Sequence, residues 1–189
     1  MYSTVNTRFA AALITLGYQR LPDGNGTFSI EFRFEDAQGL VLLEQTWNRD
    51  SDQGEQPIEL MRQVSKARDW VVTRVVHGNH NEGKDPPPEA YQTRSLHFAC
   101  CLVAQQFYLI KLDKLERVFY FDARAESLWD KYCSPEGGSA MDWQIKYLNA
   151  FDKLIRSTPR ANLILDKRSP MRNNADNLKR DTIKRELAR

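Results

Sequence analysis

Two histidines three residues apart, His77 and His80, followed by Glu82 and Asp85, are the first place in this chain where side-chain types and spacing could do chemistry. Imidazole and carboxylate are donors for zinc or another divalent metal. No Cys/His pair completes the set at an expected distance, and the cluster falls at the end of a helical pattern and in a linker. His77 and His80 are therefore read as polar residues, the first favoured at a helix end by the macrodipole. No metal or cofactor is expected.

Cys100 and Cys101 sit together in the apolar run Phe98-Ala99-Cys100-Cys101-Leu102-Val103 and read as small buried side chains, not as nucleophiles. Cys133 closes a predicted helix with no base near it in sequence. Asp50, Asp52, Glu55 and Glu59 are acids of a loop and a helix start, where solvation explains them better than a Mg²⁺ site. The sequence holds no Gly-rich phosphate loop, no serine nucleophile elbow and no zinc-protease helix. No catalytic residue is assigned, and a non-enzymatic protein is favoured over an enzyme.

The C-terminal segment differs in kind. Arg168, Arg172, Lys179, Arg180, Lys184 and Arg185 are spread along a polar stretch whose apolar content is little more than Leu178, Ile183 and Leu187. Burial of so few apolar groups does not offset the entropy of ordering the segment. Phosphate backbone is the natural partner of such an array, and these six residues are the candidate nucleic-acid contacts. A solubilising terminal helix with pairs such as Asp181/Arg185 is the competing reading.

Charge along the chain carries the same contrast. The net charge of the 189 residues is +2, but residues 1–155 carry 17 Lys/Arg against 21 Asp/Glu, a balance of −4, and residues 156–189 carry 10 against 4, a balance of +6. An apolar content of 41% is enough for a real core. Three cysteines without a framework spacing imply reduced thiols and a cytoplasmic setting. No run approaches the roughly 18–20 apolar residues of a membrane span, so no membrane partner is expected.

Elements must position these residues, and their order is expected to occur twice. Asn6 or Thr7 caps a helix on Phe9, Leu13 and Leu16 that ends at Gly17. A turn over residues 22–26 leads into alternating Phe28, Ile30, Phe32 and Phe34, a half-buried strand. Residues 37–47 are read as helix, and Pro57 opens a helix of about 20 residues to His77. Residues 79–89, with three consecutive prolines, form a linker. The second series follows: a strand at Tyr91, a helix from Ser95 to Gln106, a strand over residues 118–121 with both faces covered, a helix over residues 123–133, and a helix from Ser139 to Arg156.

Tyr2/Tyr91, Thr4/Thr93, Phe9/Phe98, Ala10/Ala99 and Leu13/Leu102 align at an offset of 89, which falls to 87 at the strands and 83 in the last helices. Each change lies in a predicted loop, where length is tolerated. The expected fold is α+β: a tandem duplication of a small β-α-β-β-α-α unit, antiparallel hairpin strands packed against helices, forming one pseudo-symmetric body plus a basic C-terminal tail. The boundaries are residues 1–78 for the first repeat, 79–89 for the linker, 90–157 for the second repeat and 158–189 for the tail.

The pattern of Y-x-T, small-residue helix, turn and hydrophobic strand ending in an acid resembles a family of small uncharacterised domains from bacteria and phages. Tyr2, Thr4, residues 10–13, Gly17 and residues 32–36 carry the likeness in the first half. Tyr91, Thr93, residues 99–102 and 118–122 carry it in the second, where Gln106 stands in place of the glycine. The resemblance implies an origin in mobile elements and supplies no catalytic residues.

Three functions compete. The first is a non-enzymatic accessory protein of a phage or mobile element that binds nucleic acid through the tail. The second is a protein-binding module, such as an inhibitor of a host factor or an assembly subunit, using Trp47, Tyr120, Trp129 and Tyr132; a homodimer is a further possibility. The third is a metal-dependent enzyme resting on His77 and His80.

Overall fold

A computed structural model describes residues 1–22, 31–35, 39–49, 56–77 and 85–157. Residues Met1–Asp152 form one compact unit, and a second begins at Lys153. The described residues are mixed α+β, with six α-helices and two small antiparallel sheets. No described helix is long and apolar enough to cross a membrane.

The first half opens with β1 (Tyr2–Thr4), which pairs with β2 (Phe32–Phe34) so that Tyr2 faces Phe34 and Thr4 faces Phe32. Phe32 and Phe34 are buried and Arg33 between them is half-exposed, the alternation expected of a strand covered on one side. Between the strands runs α1 (Thr7–Thr15). Asn6 caps it by accepting from the backbone N–H of Arg8 and Phe9, and Thr4 Oγ1 in turn accepts from the Asn6 N–H at 3.1 Å. Gly17, at φ 93°, ends it in a Schellman turn in which the Tyr18 N–H returns to the Leu13 carbonyl at 3.0 Å. Next come α2 (Leu40–Asn48), entered through Gly39 at φ 96°, and α3 (Pro57–His77), whose proline occupies the first turn where no N–H is needed.

The second half follows a similar order, with one strand and one 3₁₀ turn more than the described residues of the first. β3 (Tyr91–Thr93) leads to α4 (Leu96–Ala104), capped by Ser95, whose own N–H is held by Thr93 Oγ1 at 3.1 Å. Then come β4 (Leu109–Asp113) and β5 (Val118–Phe121), and the sheet order β3-β5-β4 places β5 in the centre. Val118, Phe119 and Phe121 are buried, as a central strand requires. Residues 123–133, expected as one helix, are a 3₁₀ turn (Ala123–Leu128) followed by the short α5 (Trp129–Cys133). Asp122 caps the turn through the Arg124 N–H, and Ser127 Oγ donates back to the Arg124 carbonyl at 2.8 Å. The last helix is α6 (Ala140–Ser157).

Small residues set the core. Residues 9–13 of α1 and 98–102 of α4 are each fully buried, a phenylalanine followed by small side chains and a leucine. Each buried phenylalanine contributes roughly 1.5–3 kcal/mol. α3 lies along α4, so the first half packs on the second through this pair of helices. Aromatic contacts also recur: Tyr2 meets Phe9 edge-on at 6.3 Å, and Tyr91 meets Phe98 at 6.0 Å.

Candidate functional site

Three helices bring their polar groups together at one point. His97 on α4 stands with Nε2 3.0 Å from Asp152 Oδ2 on α6, and Arg68 on α3 donates from Nη2 to Asp152 Oδ1 at 3.2 Å. The His97 hydrogen bond holds the Asp152 carboxyl below the ordinary aspartate range, the Arg68 charge adding to it and partial burial opposing it. Since that carboxylate is ionised at neutral pH, His97 donates to it. Arg68 also lies over the Phe151 ring at 4.5 Å.

A histidine oriented by a carboxylate is two-thirds of a nucleophilic triad. Cys100, one turn after His97 on α4, is the thiol that would complete it. It is fully buried, and burial pushes its pKa up to about 12. Burial raises Cys101 further still. Both thiols stay protonated, so the cluster ties helices together and makes no nucleophile. Sequence reasoning passed over His97 and Asp152. The signal lay in the alignment: Arg8 and Asp69, at offsets of 89 and 83, form the corresponding contact at 2.8 Å between α1 and α3.

Two further buried groups are structural. The Tyr147 hydroxyl donates to Ser65 Oγ at 2.8 Å, joining α6 to α3. Arg62 is 3% exposed and donates from Nη1 to the carbonyls of Thr46 and Arg49, where the C-terminal end of α2 favours a cation. Its Nε and Nη2 have no hydrogen-bond partner.

Of the residues singled out in the sequence, His77 is exposed in the last turn of α3, and Glu59 accepts from the Gln56 N–H at the start of that helix. Asp85 pairs with Lys111 at 3.1 Å. His80, Glu82, Asp50, Asp52 and Glu55 lie outside the described residues, as do Arg168, Arg172, Lys179, Arg180, Lys184 and Arg185. Among the described residues no three His, Cys, Asp or Glu side chains gather closely enough to hold a metal. Of the aromatics named for partner binding, Trp47 is 7% exposed, wedged between Phe9 and Tyr147, and is core. Trp129 is 38% exposed and stacks on Tyr132 at 5.5 Å.

Two hollows open where α3 and α4 meet and beyond. The first, about 350 Å³, is lined by Lys66, Ala67 and Trp70 of α3 and by Val103, Ala104 and Gln106 at the end of α4. Gln106 also lines the second, about 300 Å³, which continues past Tyr108 and Ile110 to Arg124. Neither contains a nucleophile; what they offer is aromatic, amide and cationic surface.

Comparison with protein-family models, with curated proteins and with solved structures finds no match to this chain.

Proposed function

We propose that the chain is a non-enzymatic accessory protein that binds nucleic acid through its basic C-terminal segment, with a duplicated α+β body as scaffold. The observation that carries this reading is the segregation of charge, −4 over residues 1–155 and +6 over residues 156–189. An array of that sign suits phosphate backbone. A scaffold is favoured over a catalyst because the reactive groups of the body are already engaged: His97, Asp152 and Arg68 hold one another, and burial keeps Cys100 and Cys101 protonated. The likeness of both halves to small bacterial and phage domains makes a phage or other mobile element the proposed source.

The test is binding of DNA and RNA by the intact chain and by a chain lacking residues 167–189, over a range of salt. Binding that falls with salt and is lost on deletion supports the reading. Unchanged binding after deletion, or none by the intact chain, contradicts it.

A protein-binding module, such as an inhibitor of a host factor or an assembly subunit, is the second reading. The hollow between α3 and α4, with Trp70 39% exposed at its wall, is what favours it. Capture of one stoichiometric protein partner, lost in Trp70→Ala, would support it over the first.

A further inference from the structure

The basic segment has charge but, from residue 158 to the end, no aromatic ring, so it can hold phosphates without gripping bases. The body supplies rings. We propose that the surface running from Trp70 over Gln106 to Tyr108 binds single-stranded nucleic acid, with bases stacked on the two rings. This inference rests on the nucleic-acid reading above and names the class of strand.

Position and exposure come first. Lys66, Trp70 and Arg74 are spaced four apart on α3 and share one face. Lys66 and Trp70 line the first hollow, about 350 Å³, together with the short side chains of Ala67 and Ala104. The Arg74 guanidinium lies 3.4 Å from the Trp70 ring centroid, the cation-on-indole stack that a nucleobase extends. Tyr108, on the second hollow, is 77% exposed, so its ring is open to a base.

Charge complementarity selects the occupant. In a body with a net charge of −4, the two hollows are lined by Lys66 and Arg124 and by a single acid, Asp122. That acid and Arg124 form an ion pair, Nε to Oδ1 at 2.9 Å, so the two cancel and the net positive charge of the lining is that of Lys66. The lining therefore favours an anion on an otherwise acidic body.

Gln106 stands between the two hollows and lines both. It adopts φ 65° where the equivalent turn of the first half uses Gly17 at φ 93°. A glycine would close the helix with less strain, and retained strain at an exposed position points to a use for the side chain. Its carboxamide, between the two hollows, carries one acceptor and two donors, the pattern that reads base edges. An acidic peptide would match the charge, but two exposed rings flanking a carboxamide suit successive bases better.

The experiment uses the full chain, a labelled thymidine oligonucleotide and a duplex of the same length. Tyr108→Ala and Trp70→Ala are each expected to weaken binding of the oligonucleotide about tenfold while duplex affinity and the salt dependence stay unchanged. Because Tyr108 is so exposed, its variant should melt like the parent, which separates lost binding from lost folding. If the chain binds both probes and neither substitution matters, the rings are not a base site and this inference fails alone. If the chain binds neither probe, the nucleic-acid reading fails and takes this one with it. A protein partner or a dimer lost in Trp70→Ala, with oligonucleotide binding unmoved, would also overturn it.

Discussion

His97 on α4 and Asp152 on α6 stand 3.0 Å apart, in the same relation as Arg8 on α1 and Asp69 on α3 at 2.8 Å. The two pairs differ in exposure and in company. Asp152 and His97 are 27% and 21% exposed, and Asp152 has Arg68 as a second partner, whereas Asp69 and Arg8 are 42% and 51% exposed. Asp152→Asn should therefore cost about 2 kcal/mol, because it leaves two half-buried donors with a weaker acceptor. Asp69→Asn should cost less than about 0.5 kcal/mol, as expected of a solvent-screened pair. Urea midpoints of the two variants check the contrast.

The Asp152 cluster also fixes a pH dependence. His97 first, and then Arg68, hold the Asp152 carboxyl below its ordinary range in the folded state. A depressed folded pKa contributes stability that is complete above the unfolded value, about 4, and is lost as pH falls through the lower folded value. Between about pH 6 and about pH 3 the parent should lose more stability than Asp152→Asn, so the gap between them narrows on acidification. A gap that stays constant would show that the carboxylate is not linked to folding.

Helix ends give a second comparison. Gly17 and Gln106 both take left-handed backbone at the close of α1 and α4, and both are followed by a Schellman bond, Tyr18 to Leu13 and Phe107 to Leu102, each 3.0 Å. A Cβ built on Gly17 meets nothing within 4 Å, so Gly17→Ala should cost only the backbone strain, about 1–2 kcal/mol. Gln106→Gly should gain up to about 1 kcal/mol, part of the relief being offset by the freer unfolded chain. Thermal melts of the two variants should shift in opposite directions.

Cysteine reactivity tests the interior. Cys133 is exposed, while Cys100 and Cys101 are fully buried and held protonated. A thiol reagent should modify Cys133 in the native protein and all three cysteines after denaturation. Rapid labelling of Cys100 in the native state would show that α4 is not part of a closed core. Cys100→Ala should fold, since Ala11 occupies the matching place in α1.

The tie between α6 and α3 is equally open to test. Tyr147 is fully buried and its hydroxyl donates to Ser65. Tyr147→Phe leaves Ser65 without that donor and should cost about 1–2 kcal/mol, and adding Ser65→Ala should recover part of the loss. Chemical denaturation of the single and double variants measures the coupling.

Local signals explain how much of this fold was legible in the sequence. Asn6, Gly17, Pro57 and Ser95 mark element ends by backbone chemistry that acts within one turn, and each does in the structure what its residue type implies. The expected helix over residues 123–133 is split into a 3₁₀ turn and the short α5, a difference of winding that composition does not reveal. The hollow at Trp70 was not legible, since it depends on which face of α3 meets α4. Trp47 was misread as surface for the same reason: its neighbours Phe9 and Tyr147 come from distant parts of the chain.

Phosphate binding by the basic segment predicts a steep salt dependence of nucleic-acid binding. The measurement is the dissociation constant of the full chain for duplex DNA over a series of salt concentrations, beside a chain in which Arg168, Arg172, Lys179, Arg180, Lys184 and Arg185 are all replaced by glutamine. If all six hold phosphates, the logarithm of the binding constant should fall with the logarithm of salt at a slope steeper by roughly five in the parent than in the variant. Equal slopes, or no binding by either chain, would contradict the proposed function.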